Sequence, residues 1–231
     1  MNTLPGRILV TGGGTGLGRA IATACRNAGA EVVLCGRRES VLQETAESIG
    51  ASFHACDLNE PLALEGIGPF DGVVHAAGAR LHAGVADWSP EQGERLWRLH
   101  VDALARMAQR MSKDSGGSIL ALASSLAIRP VVGSAAYSAT KAAQLSLVRS
   151  LALELAPMKI RVNALVLGVV PTDMTRSQPA GEPDPHLDRL ASLHPLGLGT
   201  PENVASAALA LLANPWITGA ELAVDGGLSL A

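Results

Sequence analysis

Aromatic side chains are scarce, at 3% of 231 residues. Alanine, leucine, valine and glycine must therefore build the interior, which suits helices packed closely on a sheet. There is no basic excess. Lys and Arg number 18 against 21 Asp and Glu, for a net charge of -3, so the cationic surface that nucleic acid requires is missing. Nor do aromatic and basic residues interleave as in single-strand binders. The three cysteines, Cys25, Cys35 and Cys56, are odd in number and widely spaced. No Cys-x-x-Cys or Cys/His spacing appears, so no metal site and no disulfide framework are expected. The cysteines read as buried, reduced thiols of a cytoplasmic protein. A long apolar run is also lacking. The stretch 119–132 is interrupted by Ser124, Ser125, Arg129 and Pro130, which excludes a membrane span there. The N-terminus, Met1 to Pro5, runs into a strand pattern without the marks of a signal peptide.

What is present is a large apolar fraction, 48%, with only 17% charged residues. A chain of this length and composition buries a sizeable core and has no disorder signature. No composition break or internal repeat divides it, so a single domain over 1–231 is expected. Short β-rich runs alternate with helical ones. Strands are expected at Ile8 to Val10, Glu31 to Cys35, Ser52 to Cys56, Gly72 to Gly78 (strand and its exit), Ser118 to Leu122, Ile160 to Leu165 and Glu221 to Val224. Helices are expected at 19–28, at 40–49, from Ser89 to about Met111, from Tyr137 to Ala156 and from Thr200 to about Ala213. Between Asp57 and the fourth strand, Leu62-Ala63-Leu64 allows one helical turn at most, an abbreviated crossover. The alternation predicts an α/β fold, one doubly wound Rossmann-type domain with about seven parallel strands and helices on both faces. The segment 171–199 holds five prolines and reads as a loop or lid with a short helix near Leu187 to Leu193.

The first strand is followed by Thr11-Gly12-Gly13-Gly14-Thr15-Gly16-Leu17-Gly18 and then a helix. Strand, glycine turn and helix are what a phosphate cradle needs: glycines let the backbone approach a pyrophosphate, and the helix N-terminus presents N–H groups and positive potential. The second strand ends in Gly36-Arg37-Arg38. An acid at this place takes ribose hydroxyls, whereas an arginine suits a ribose 2′-phosphate. Arg37 and Arg38 therefore favour NADP(H) over NAD(H). Downstream, Tyr137-Ser138-Ala139-Thr140-Lys141 puts a phenol and an ammonium one helical turn apart on one face. An ammonium near a phenol favours the phenolate and makes it a general acid or base usable near neutral pH.

Taken together, these residues resemble the classical short-chain dehydrogenases/reductases over essentially the whole chain. Thr11, Gly12, Gly16 and Gly18 match that family's Thr-Gly-x-x-x-Gly-x-Gly loop, Asp57 its adenine-contacting aspartate, followed by Leu58, and Ala77-Gly78 the end of its Asn-Asn-Ala-Gly, written here His75-Ala76-Ala77-Gly78. Ser124 stands thirteen residues before Tyr137, as the family's catalytic serine does, and Tyr137 and Lys141 match its catalytic pair. Leu167-Gly168 replaces Pro-Gly, with Val170 and Thr172 where the nicotinamide carboxamide is contacted; Val224-Asp225-Gly226-Gly227 matches the C-terminal signature. The resemblance implies hydride transfer between NADP(H) and a small carbonyl or secondary alcohol, of the kind seen in 3-oxoacyl reductases and polyol dehydrogenases. It implies Ser124 and Tyr137 on the carbonyl oxygen, and Lys141 on the nicotinamide ribose with the tyrosine pKa lowered. The cofactor contacts it implies are Gly12, Gly14, Thr15, Gly16, Leu17, Gly18, Ala76, Ala77 and Gly78, with Asp57 and Leu58. A homotetramer is implied as well, packed through the Tyr137 helix, the helix before it and the C-terminal segment. One departure stands out. His100 occupies the place of the family's fourth catalytic residue, an asparagine that helps hold a water linking the lysine to solvent. Histidine can relay a proton or simply sit satisfied in the core. The competing reading, from another class, is an NADP(H)-binding sensor or scaffold without turnover.

Overall fold

The computed structural model describes residues 4–112 and 116–231. The first residues of the stretch read for a signal peptide, Met1 to Thr3, lie outside it. Among the described residues seven strands form one parallel sheet: β1 (Arg7–Thr11), β2 (Glu31–Gly36), β3 (Ser52–Ala55), β4 (Gly72–His75), β5 (Gly117–Leu122), β6 (Ile160–Leu167) and β7 (Glu221–Val224), in the order β3-β2-β1-β4-β5-β6-β7. Side chains alternate between its two faces. Ile8, Val10, Leu34, Leu120 and Leu165 meet α1 (Gly16–Asn27), α2 (Glu39–Ile49) and α7 (Pro201–Ala213). Leu9, Val33, Val73, Ile119 and Val162 meet α4 (Ala103–Ala108) and α5 (Ala135–Leu155). Both faces are covered, so the strands read as continuous apolar runs. This is the doubly wound Rossmann-type architecture expected from the sequence.

Two stretches of the scaffold matter for the site. The run from Ser89 does not continue as one helix. α3 (Pro90–Trp97) gives way to a π turn at Arg98–Asp102, where the Ala103 N–H closes on the Arg98 carbonyl, before α4 resumes. The wider turn loosens the backbone ladder. Two of its carbonyls take side-chain donors: Leu99 O accepts from His75 Nε2 at 2.9 Å and His100 O from Gln144 Nε2 at 3.0 Å. Periodicity cannot show this, because an inserted residue shifts the apolar pattern by only one position. In the segment that follows, α6 (Pro185–Ala191) begins two residues earlier than expected. Asp184 caps it and also binds Ser177 and Gln178; the Ser177 hydroxyl leads the groups that hold its carboxyl far below the usual range.

The crossover between β3 and β4 is abbreviated as expected, with turns and no helix over residues 57–69. Arg106 on α4 substitutes for the missing element. Its guanidinium donates to the carbonyls of Glu60 at 2.6 Å, of Pro61 at 3.0 Å and of Leu58. Cutting Arg106 back to alanine leaves these carbonyls without their charged donor and is expected to cost about 2 kcal/mol, read as a lower urea midpoint with unchanged slope. A lysine at this position, lacking the fork, is expected to restore less than half of it. An unchanged midpoint in the alanine variant would show that the loop holds itself.

Candidate active site

The strand order reverses direction between β1 and β4, and the crevice at the carboxyl ends of such strands is where a doubly wound sheet binds ligands. A cavity of about 780 Å³ lies there. Its floor is the turn after β1. Gly12 (φ 65°) and Gly16 (φ 52°) sit in the left-handed region, and a Cβ on Gly18 would stand 2.2 Å from the Gly12 oxygen. These positions need glycine for geometric reasons. The loop hangs on β2, where Cys35 O accepts the Gly12 N–H at 2.7 Å. Thr15, the N-cap of α1, makes no side-chain capping bond, and the first turn carries no acid. The first amides of α1 and the positive end of its dipole are therefore left for an anion.

One end of the cavity is cationic. Arg37, Arg38 and Arg95 line it together with Asp57, and Arg38 donates to Thr15 Oγ1 at 3.3 Å. Burial opposes the charge of Asp57, but two hydrogen bonds from Asn59 and the nearby Arg37 and Arg95 hold its carboxyl below the usual range. Arg95 was not visible as a site residue, because α3 reads as a plain solvated helix.

Tyr137 and Lys141 occupy the other end, one turn apart on α5. Lys141 is 4% exposed. Its Nζ donates to Leu122 O at 2.7 Å and to Gln144 Oε1 at 3.0 Å, and burial lowers its pKa to about 7. Ser124, whose hydroxyl bears on the Tyr137 phenol, starts the turn after β5 and accepts the Leu126 N–H at 3.2 Å. Burial raises the Tyr137 pKa, while the Ser124 hydroxyl and the charge of Arg80 act against that rise. The expectation that Lys141 depresses this phenol is not met. Its Nζ lies 5.9 Å from the ring centroid and is held by two acceptors on α5 and β5, and burial leaves it only partly protonated near neutral pH.

His100 is fully buried. Its Nε2 accepts the Ala79 N–H at 3.3 Å, so Nδ1 carries the proton and donates to Thr140 Oγ1 at 2.9 Å. Thr140 in turn donates to Tyr137 O at 2.9 Å. Burial, seconded by the charge of Lys141, lowers the His100 pKa to about 2, so the ring is neutral. It stands edge-on to the Tyr137 ring, with centroids 5.6 Å apart. The connection to Lys141 runs instead from the His100 main-chain carbonyl through the Gln144 carboxamide. Sequence reasoning missed Gln144. Its signal was a polar residue three places after Lys141 on a helix face otherwise filled by Ala and Leu.

The match with known proteins agrees with this geometry. A family model described as Enoyl-(Acyl carrier protein) reductase fits residues 12–229. The 3-oxoacyl-[acyl-carrier-protein] reductase of Rattus norvegicus is 35% identical, covering 96% of this chain and 97% of the relative. The chain belongs to the short-chain dehydrogenase/reductase family. Another relative is the L-xylulose reductase of Mesocricetus auratus, 34% identical over 96% of this chain and 95% of that protein. Among solved structures, L-sorbose reductase from Gluconobacter frateurii, complexed with NADPH and L-sorbose, superposes with a TM-score of 0.90 at 26% identity, covering 100% of both chains. A 3-oxoacyl (acyl-carrier-protein) reductase from Agrobacterium tumefaciens C58 with NADP bound gives 0.88 at 30% identity over 96% of this chain and 93% of its own. Like these members of the family, the chain is an oxidoreductase of carbonyl and alcohol groups.

Within this short-chain dehydrogenase/reductase, the expected contacts Gly12, Gly14, Thr15, Gly16, Leu17, Gly18, Arg37, Arg38, Asp57, Leu58, Ala76, Ala77, Gly78, Tyr137, Lys141 and Thr172 all line the cavity. Thr11, Gly168 and Val170 stand behind its wall. Thr11 Oγ1 donates to His75 Nδ1 at 2.9 Å and accepts the Ala77 N–H at 3.1 Å. Gly168 binds Val224 O, and Val170 is buried toward the α7 face. His75, noted only as a departure, is a fully buried strut between the glycine loop and the π turn, neutral because burial lowers its pKa to about 3. His194 is buried: its Nδ1–H donates to Leu190 O and its Nε2 accepts the Val169 N–H. Among the described residues no metal-binding cluster occurs and no helix is long and apolar enough to cross a membrane.

The lowered pKa of Lys141 gives folding stability a definite pH dependence. The unfolded lysine keeps its proton up to about 10.4, whereas the folded one releases it near 7. Between these values the unfolded state binds more protons, so stability rises with pH there, by up to about 1.4 kcal/mol per unit for this group. Urea unfolding of the wild type and Lys141→Met from pH 7 to 9 isolates it. The stability of the wild type relative to the variant is expected to climb with pH; a constant difference means that Lys141 titrates normally.

Proposed function

We propose that this enzyme is an NADP(H)-dependent reductase of small carbonyl compounds, with Tyr137 as the proton donor. The observation that carries the reading is a cleft with Tyr137 and Lys141 at one end, where the Ser124 hydroxyl bears on the phenol, and a glycine cradle with arginines at the other. The residues present fit the cofactor. Gly18 admits no Cβ, the α1 amides lack a cap, and Arg37 and Arg38 line the same cavity, as a ribose 2′-phosphate would favour. The NADP- and NADPH-bound relatives support that choice. Thr15, Gly16 and Leu17 would receive the pyrophosphate, Asp57 and Leu58 the adenine, and Thr172 the carboxamide. When bound, the cofactor supplies the hydride.

The chain's own groups do the rest. Ser124 Oγ and Tyr137 Oη converge on the substrate oxygen and stabilise charge developing there. Tyr137 Oη passes its proton to that oxygen, and in alcohol oxidation takes it back. Lys141 has two of its three N–H bonds occupied by Leu122 O and Gln144, which leaves one for a ribose hydroxyl. His100 and Thr140 brace Tyr137 from behind, a positioning role. The 171–199 segment, knotted by Asp184, serves as the lid over the substrate. The names of the relatives, for 3-oxoacyl thioesters and for ketoses such as L-xylulose and L-sorbose, point to a polar ketone substrate. A homotetramer through α5 belongs to the same reading: Ala139 and Ala142 lie exposed on that helix, open to close approach by another copy.

Tyr137→Phe is expected to lower kcat with a ketone panel by about a thousandfold, within the range of general-acid contributions, while NADPH affinity by fluorescence stays within about twofold. A fully active variant overturns the assigned acid. Wild-type protein that binds NADPH and turns over no ketone would point to the sensor reading instead. For the cofactor, the double substitution Arg37→Asp with Arg38→Asp is expected to weaken NADPH by at least about a hundredfold, the loss of one to two charge-assisted contacts, and to leave NADH unchanged or improved. An unaltered preference removes both arginines from the phosphate site.

A further inference from the structure

Cys35 and Cys56 are 21 residues apart in sequence yet meet in space. β2 and β3 pair in parallel, with Gly36 opposite Ala55, and the Cys56 N–H continues the ladder to Gly36 O at 2.8 Å. Both side chains fall on the α4/α5 face of the sheet, and their sulfurs are 3.1 Å apart. Both are free thiols. The pair is also asymmetric in access. Cys35 is buried, whereas Cys56 is half-buried and lines the cavity beside Asp57. No helix roofs this corner, because the β3–β4 crossover is a turn-rich loop.

We propose that Cys56 and Cys35 form a peroxide-sensitive dithiol at the adenosine end of the cleft, whose oxidation to a disulfide and the binding of NADP(H) oppose each other. The proposal goes beyond the carbonyl chemistry and rests on the cofactor position given above. A thiolate is the reactive species, and two features make Cys56 the one that forms it. The hydrogen bond from Cys35 and the nearby Arg106 lower its pKa, against burial and the charge of Asp57. Cys35 is shifted upward by that same contact and by burial, so it keeps its proton. In the first step the Cys56 thiolate attacks a hydroperoxide oxygen; the O–O bond breaks, hydroxide leaves and Cys56 becomes a sulfenic acid. In the second the Cys35 sulfur attacks the Cys56 sulfur, the S–O bond breaks, and water leaves with the Cys35 proton. Two thiols are oxidised and one peroxide is reduced. A dithiol reductant reverses the change.

The coupling to the cofactor follows from what the two residues hold. The Cys35 carbonyl carries the phosphate loop through Gly12 and, more weakly at 3.4 Å, Gly13. Cys56 directly precedes Asp57. Bond formation draws the sulfurs about an ångström closer, and this movement falls on the two backbone positions that set the glycine cradle against the adenine side. A bound cofactor, conversely, covers Cys56 on its cavity side.

The test uses the full chain, reduced and then exposed to hydrogen peroxide with and without saturating NADP+. The expected product is a Cys35–Cys56 linked peptide, found by mass spectrometry after alkylation of the remaining thiols and removed by dithiothreitol. Cys25 is the internal control: it is buried with its pKa pushed up to about 12, and stays reduced. NADP+ is expected to slow the cross-link at least about tenfold, and the oxidised protein to bind NADP+ at least about tenfold more weakly than the reduced protein, about 1.4 kcal/mol. In Cys35→Ser, dimedone is expected to trap Cys56 as the sulfenic acid; in Cys56→Ser, no cross-link forms. Circular dichroism confirms that each variant is folded. Absence of the cross-link in folded wild type, or a cross-link that leaves NADP+ affinity unchanged, overturns the proposal. Failure of the cofactor reading is separate, since the reduced protein would then not bind NADP+ at all.

Discussion

Burial of the Lys141 ammonium is the constraint on which the rest of the site depends. A lysine this deep is stable only with partners for its donors. The fold supplies Leu122 O from the end of β5 and the Gln144 carboxamide from the next turn of α5. Those two contacts fix Nζ relative to the strand that leads into Ser124 and to the helix that carries Tyr137. The lysine thus ties the end of β5, which leads into Ser124, to the helix that carries Tyr137. Gln144 is in turn oriented by the His100 carbonyl, and that carbonyl accepts a side-chain donor because the helix opens into a π turn there.

Two buried histidines stand where the family pattern has asparagines, and the structure answers both departures alike. His75 and His100 each use one ring nitrogen as donor and the other as acceptor, with all four contacts inside the protein. Asparagine has the same pair of capacities on a shorter stem. The imidazole reaches farther: His75 spans from the glycine loop to the π turn, and His100 from the Ala79 backbone to the helix under Tyr137. One strut ties the phosphate cradle to α3–α4, the other ties α3–α4 to α5. Both struts act through the π turn at Arg98–Asp102.

The legible part of this molecule was its strand and helix order, its glycine loop and the one-turn spacing of Tyr137 and Lys141, because each depends on local chemistry that leaves a spacing; Ser124 was reached only through the family resemblance. Gly12, Gly16 and Gly18 are readable since only glycine fits their backbone. What stayed hidden depends on contacts between residues far apart in sequence. The π turn shifts the apolar pattern by one place. The Cys35–Cys56 contact comes from strand register, so two cysteines that read as separate inert thiols are neighbours. The sign of the Tyr137 shift also came out opposite to expectation, because helical spacing says that the lysine is near but not that burial decides the phenol's pKa.

That last difference bears on how the site responds to pH. Burial holds His75 and His100 neutral, with pKa values of about 3 and about 2, and raises Tyr137 above its ordinary value, while Lys141 falls to about 7. Of these four groups only Lys141 changes charge near neutrality. Protonation of Lys141 places a positive charge one turn from Tyr137 on α5, 5.9 Å from the ring centroid. The histidine in the place of the family asparagine is neutral across this range and does not titrate with the lysine. The Gln144 carboxamide that connects Lys141 to the His100 carbonyl accepts a hydrogen bond from the ammonium without taking its proton.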